Sequence, residues 1–285
     1  MITSKTAINQ EVFNLIREYI QQECGIILGD DKISLVESRL SKIVIQSKCS
    51  SFKDFYLLIK KDKSKKLRDI IINAITTNET MWFRDLKQWE LVKNIILPKY
   101  INDLRRENKD RVIIWSVASS TGQEPYSMAM LIQEALLKEP KVKLEQFFII
   151  ATDISRCAMF LAISGRYNKT AMSKGMLPGY EEKFFKTSKE IWEINQSIKD
   201  MVHFKQFDNQ DYYEDFPNLD IIFCKNTTGY YTPKIQKEAF RIIQNKLDKD
   251  GYLFLGTTET ISNLSSKFFS ETIDNCQFYR IKNLK

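Results

Sequence analysis

The sequence predicts an α/β fold: a doubly wound, mostly parallel sheet, preceded by a small helical bundle and interrupted by a small inserted antiparallel β subdomain. Three observations predict it. Short unbroken runs of β-branched and aromatic residues, at Val112–Ile114, Phe147–Ala151, Leu219–Cys224 and Tyr252–Leu255, read as strands buried on both faces. Helical patterns at Glu124–Leu137, Ser155–Ser164 and Pro233–Leu247 alternate with them, the order of parallel βαβ units. The first 75 residues carry helical spacing only.

In chain order, Val12, Phe13, Ile16, Tyr19 and Ile20 share one face of a helix over Glu11–Glu23, which Cys24-Gly25 ends. Ile26-Ile27-Leu28-Gly29 is an apolar connector. Asp30 or Asp31 caps a second helix reaching about Ser47, with Ile33, Val36, Leu40, Ile43 and Val44 inward and Lys32, Arg39 and Lys42 on the other face. Ser51 caps a third helix, Phe52–Lys60, and Lys65–Ile75 reads as a fourth. Residues 1–75 therefore form the helical bundle. Residues 76–110 form a linker and a helix from Leu86 to about Leu104. The linker holds Thr76–Asp85, where polar residues crowd against Trp82-Phe83 with Arg84 behind them.

Residues 111–285 hold the sheet. Gly165–Asp200 breaks its alternation, being polar and rich in Lys and Glu, with one short strand at Ile191–Ile194; it reads as an insertion over about 166–200. Strands resume at His203–Phe207 and Leu219–Cys224. Lys225–Tyr231 is the exit loop, and Pro233 suits the first turn of the next helix. Asp250-Gly251 is a turn, Tyr252–Leu255 a further strand, and Phe268–Ile281 a closing hairpin.

Composition removes several classes. The chain of 285 residues is 43% hydrophobic and 28% charged, as soluble globular proteins are. No apolar run approaches the roughly 20 residues that span a bilayer, so no membrane insertion is expected. Five cysteines without a Cys-x-x-Cys pair read as reduced thiols, and a cytoplasmic location follows. A single histidine, His203, argues against a zinc site and against His-dependent triads; no metal is expected and His203 reads as structural. The net charge is +7, and residues 1–75 hold 13 Lys/Arg against 9 Asp/Glu, densest at Lys60–Arg68. A basic surface suits an acidic partner, although charge runs are usually solvated helix ends.

The chemistry gathers at Trp115–Ser127, the turn between the first strand and its helix. It lacks the spaced glycines of a dinucleotide fingerprint and the Gly-Lys-Ser/Thr of a P-loop. It carries Glu124 where an anion site would want bare N–H groups. A carboxylate there suits a ligand bearing a positive amino group, or it caps the helix start; the loop alone supports both equally. Asp153, at the tip of the second strand, suits the paired hydroxyls of a ribose better than a helix cap.

Here the residues resemble the chemotaxis receptor methyltransferases, the CheR family. The likeness lies in Thr77-Asn78-Glu79-Thr80 with Phe83-Arg84, Trp115-Ser116 with Ser120–Ser127, Ala151–Ile154, Phe223-Cys224 with Asn226 and Tyr230, Gly251–Glu259, and Gly25-Ile26 with Arg39-Leu40. Their order and spacing match along nearly the whole chain. The resemblance implies a Rossmann-like class I methyltransferase sheet and S-adenosyl-L-methionine as cofactor. It implies methyl ester formation on glutamate side chains of chemoreceptor signalling domains, in chemotaxis adaptation. It places Asn78, Thr80, Arg84, Glu124, Asp153, Asp208, Asn209, Asn226 and Thr227 at the cofactor, and Arg84 and Tyr230 at the reacting centre. It makes residues 1–75 the receptor-docking bundle and residues 111–285 the cofactor-binding catalytic domain, and a monomer is expected. Lys225 stands where the family usually has Arg, Thr227-Thr228-Gly229 where it has mostly apolar residues, Asp208 where Asn is usual, and Thr257-Thr258 where it has an Ala/His-Ser pair. The insertion lacks the Gly-rich turn of members that bind a receptor's C-terminal pentapeptide, so no such tether is expected. Two other readings stand beside this one: a turnover-poor cofactor-binding adaptor docking on receptors, and a nucleic-acid methyltransferase. Cys224–Tyr231 does not match the Asn/Asp-Pro-Pro-Tyr pattern of the latter, so no nucleic-acid partner is expected.

Overall fold

The computed structural model describes residues 7–206, 216–261 and 265–282. Helices α1 (Gln10–Cys24), α2 (Ile33–Gln46), α3 (Phe52–Lys61) and α4 (Lys66–Ile75) come first. Local chemistry sets their ends. The side chains of Asn9 and Ser51 accept the amides of Val12 and Asp54, and Gly25 closes α1 at φ 75°. Their inward faces, including Phe13, Ile16, Val36, Leu40, Phe55 and Ile72, share one apolar core. Two cations expected outside turn inward. Arg39 donates to the carbonyls of Ala74 and Thr76 at 2.9 and 3.0 Å, supplying donors that the end of α4 lacks. Arg68, in the basic run, is 4% exposed and pairs with Glu23 at 3.0 Å and Asp69 at 3.1 Å.

The next helix is continuous but not uniform: α5 (Leu86–Leu91), a π turn over Val92–Ile96, then α6 (Leu97–Arg105). Pro98 has no N–H for an α-helical bond, and the wider turn accommodates it.

The sheet follows: β1 (Val112–Val117), α7 (Gln123–Leu136), β2 (Phe147–Asp153) and α8 (Arg156–Ser164). The insertion holds β3 (Arg166–Asn168), α9 (Lys169–Met172), α10 (Tyr180–Phe184), β4 (Phe185–Ser188), β5 (Ile191–Ile194) and α11 (Gln196–Lys199). Then come β6 (Val202–Gln206), β7 (Leu219–Cys224), α12 (Pro233–Lys246), β8 (Leu247–Leu255), β9 (Phe268–Ile273) and β10 (Cys276–Ile281). The seven-stranded sheet has the order β6-β2-β1-β7-β8-β10-β9, with β10 antiparallel to both its neighbours and the rest parallel. The insertion makes a separate antiparallel sheet, β3-β5-β4.

Asp250-Gly251 is not a turn between elements. It lies inside β8, which bulges: Leu247 pairs with Leu219 and Tyr252 with Ile221. Buried Asp220 on β7 explains why the bulge is tolerated. It accepts the Ile113 amide at 2.7 Å and pairs with Lys109, which also reaches Asp248 on the bulge.

The aromatic pair of the linker anchors the insertion. Trp82 meets Tyr167 and Phe185 edge-on at 4.8 and 5.4 Å and donates its indole N–H to the Ala171 carbonyl at 3.1 Å. Phe83 meets Tyr180 at 5.3 Å. Glu134 on α7 adds bonds from Tyr180 and Lys183. His203 is exposed on β6 and stacks on Phe148 at 4.0 Å, outside the lining of the cleft described below. Among the described residues no helix is long and apolar enough to cross a membrane.

Candidate functional site

The chain runs outward from β1 through β2 to β6, then returns to lay β7 and β8 on the other side of β1. Ligands of doubly wound sheets bind where the order reverses, beyond the carboxyl ends of the strands. A cleft of about 480 Å³ opens there, lined by the tips of β1, β2 and β7, the linker, and the apolar connector at Ile26-Ile27-Leu28. Its size lies within the roughly 300–1,000 Å³ of small-molecule sites.

The loop after β1 is held in an uncommon backbone state. Ala118 and Ser120 adopt φ 52° and 51°, which costs about 1–3 kcal/mol for such a residue and persists only where surrounding bonds enforce it. Those bonds are visible: the Ser119 amide donates to the Thr152 carbonyl at 2.8 Å, and the Ser120 amide to Asp153 Oδ2 at 2.8 Å. Gly122, at φ 92°, lets α7 approach α8, since a Cβ there would sit 3.0 Å from that of Ala162.

Glu124 does not bond to the amides of its helix. Ser116 donates to its Oε1 at 2.8 Å, and Lys225 Nζ lies 3.0 Å from its Oε2. Asp153 does not cap α8; Ser155 does, its hydroxyl accepting the Ala158 amide. Asp153 instead accepts the Ser120 amide on one oxygen and the Ser155 amide, at 2.8 Å, on the other. Burial pushes its carboxyl up from the ordinary value, and the amides of Ser155 and Ser120 oppose that.

The exit loop of β7 is organised from the next parallel strand. Glu259 accepts the amides of Asn226, Gly256 and Thr228 at 2.6, 2.9 and 2.9 Å and the Thr228 hydroxyl at 2.5 Å. Asn226 is thereby kept at φ 55°. The amide of Ile27 donates to the Tyr230 carbonyl at 2.8 Å, tying the connector of the helical bundle to this loop.

Asn78, Thr80, Arg84, Glu124, Asp153, Asn226, Thr227 and Tyr230 thus line one cleft. Asp208 and Asn209 lie outside the described residues. The Arg84 carbonyl accepts from Trp89 and Lys225, while its guanidinium has no ion pair among the described residues. Tyr230 is half-exposed at the mouth. A second cavity of about 120 Å³, walled by Trp115, Cys224, Ile235, Phe240 and Ile243, adjoins the cleft across Asp153. No cluster of His, Cys, Asp or Glu able to hold a metal occurs among the described residues.

Sequence reasoning did not single out Glu259 or the pairing of Lys225. The signal for Glu259 was slight, a carboxylate three residues beyond Gly256 at a strand tip. Three of its four partners are backbone amides, which no residue pattern reveals.

Strand order and a cleft at the reversal point define a doubly wound α/β protein that binds its ligand beyond the strand tips. The chain belongs to the CheR methyltransferase family. Residues 78–276 match its model described as "CheR methyltransferase, SAM binding domain", and residues 11–76 its all-alpha domain. The chain is similar to the chemotaxis protein methyltransferase of Vibrio parahaemolyticus, at 33% identity over 99% of this chain and 100% of that protein. It is similar at 34% to chemotaxis protein methyltransferase 1 of Vibrio cholerae, with the same coverage. The Pseudomonas aeruginosa chemotaxis protein methyltransferase 1 is 34% identical over 90% of this chain and 92% of its own. The cofactor is therefore S-adenosylmethionine, and the cleft fits it: Glu124 and Asp153, at two neighbouring strand tips, offer carboxylates to an amino group and a ribose, while Lys225 pairs with Glu124 from the third.

Proposed function

We propose that this protein forms methyl esters on glutamate side chains of chemoreceptor signalling domains. The observation that carries this reading is Arg84: a guanidinium without an ion pair among the described residues, in a cleft that also holds Glu124 and Asp153 and has Tyr230 at its mouth. S-adenosylmethionine, when bound, supplies a methyl group on a cationic sulfur. Glu124 takes its amino group, and Asp153, with one carboxylate oxygen toward each flanking amide, takes the ribose hydroxyls. Asn226 and Thr227, with Asn78 and Thr80, line the remaining wall. The smaller apolar cavity across Asp153 takes the adenine.

Arg84 orients the incoming glutamate carboxylate, and Tyr230 offers its phenol from the mouth. A glutamate is already ionised near neutral pH. No residue need remove a proton, which agrees with a site that contains no histidine. What the residues contribute is placement, which can lower a barrier by roughly 7–11 kcal/mol. Ile26, Ile27 and Leu28 roof the cleft with apolar surface and limit water.

In this reading residues 1–75 dock on the acidic helical receptor, residues 76–110 link, and residues 111–285 catalyse, with the insertion at about 166–200 needing no pentapeptide tether. The protein acts as a monomer in the cytoplasm, where receptor signalling domains lie. The test is calorimetry with S-adenosylhomocysteine, then incubation with labelled cofactor and receptor signalling domains. Micromolar binding and a base-labile methyl ester are expected. Binding without ester would leave only a cofactor-binding adaptor.

A further inference from the structure

One buried ammonium holds both halves of the site. Lys225, with its side chain 2% exposed, places Nζ 3.0 Å from Glu124 Oε2, 3.0 Å from the Arg84 carbonyl and 3.7 Å from Asp85 Oδ2. The rings of Trp89 and Phe223 face it at 5.2 and 5.7 Å. A lysine ammonium has three donors and no acceptor, and here every polar neighbour is an acceptor. Asp85 Oδ2 is buried without a hydrogen bond among the described residues, so the ammonium is its nearest compensation.

We infer that Lys225 is a positioning residue, which aims Glu124 at the amino-acid end of the cofactor and ties that grip to the segment bearing Arg84. The inference rests on the functional reading above and deepens it. Glu124 is held at both oxygens, by Ser116 and by Lys225, on the wall of the cleft. Partly buried carboxylates deprived of their cation are penalised, and Glu124 and Asp85, at 13% and 15% exposed, would then be driven to rearrange. The Arg84 carbonyl would lose one of its two donors, the other being Trp89.

Two ligands separate positioning from general support. S-adenosylhomocysteine carries the amino-acid end, whereas 5′-methylthioadenosine has the nucleoside and sulfur without it. With the full chain, Lys225→Met is expected to weaken S-adenosylhomocysteine roughly ten- to a hundredfold, the range for one charge-assisted hydrogen bond. Affinity for 5′-methylthioadenosine should not change, and Lys225→Arg should recover most of the loss. Unchanged S-adenosylhomocysteine affinity, or equal loss for both ligands, overturns the inference. A wild-type protein that binds neither ligand sinks the functional reading and this inference with it. If Lys225→Met does not fold, the double variant Lys225→Met/Glu124→Gln is compared with Glu124→Gln. Equal binding supports action through Glu124; a further loss in the double variant refutes it.

Discussion

Asp153→Asn probes fold and ligand together. The wild-type carboxylate accepts one backbone amide on each oxygen, from Ser120 and from Ser155, both at 2.8 Å. The asparagine keeps one oxygen and sets its NH₂ against a second N–H donor, in a place only 8% exposed. Losing one charge-assisted bond costs about 1.5–3 kcal/mol. Each kcal/mol moves the melting point of a chain near this size by about 2–4 °C, so the ligand-free variant should melt roughly 3–12 °C lower. S-adenosylhomocysteine at a hundred times its wild-type Kd stabilises by about 2.7 kcal/mol. If the ribose also loses its acceptor and Kd rises roughly ten- to a hundredfold, the same concentration gives the variant only about 1.4 to 0.4 kcal/mol. The assay is melting with and without ligand. An equal ligand-induced shift in both proteins would refute the ribose assignment. An unchanged ligand-free melting point would refute the claim that Asp153 holds the Ser120 backbone in its left-handed state.

Arg84→Ala should lower methyl transfer roughly ten- to a hundredfold with little change in melting, because its guanidinium makes no ion pair among the described residues. Parallel falls in activity and melting temperature would assign it to structure. Glu134 gives an acid-stability prediction. Burial pushes its carboxyl up, but Tyr180, Lys183 and Lys93 outweigh that and bring it from the ordinary 4.5 to about 2. A depressed folded value means its contribution is complete above pH 4.5 and disappears as pH falls toward 2. Glu134→Gln should be less stable at pH 7 and should lose less over that acid window, measured by urea midpoints. Identical pH slopes for the two proteins would show that Glu134 does not secure the insertion.

Much of this protein was written in local pattern. The strand at Leu219–Cys224 and the cap at Ser51 needed only apolar runs and one hydroxyl at the right offset. That Asp153 and Glu124 line one cleft was legible because each stands at a strand tip or helix start, where sequence position implies spatial position. What resisted were features whose partners are distant in sequence. Arg39 reads as a surface cation at helical spacing, yet it satisfies carbonyls of α4. Asp250-Gly251 has turn chemistry, but Asp220 and Lys109 hold it as a bulge within β8. Lys225 reads as one basic residue in a loop, and only folding surrounds it with Glu124, Asp85 and the Arg84 carbonyl. Sequence alone therefore determined the elements, their order and the acidic tips, because those follow from side-chain periodicity and local hydrogen bonding. The tertiary structure decided which charges meet, because an ion pair depends on distance through space and a residue pattern records only distance along the chain.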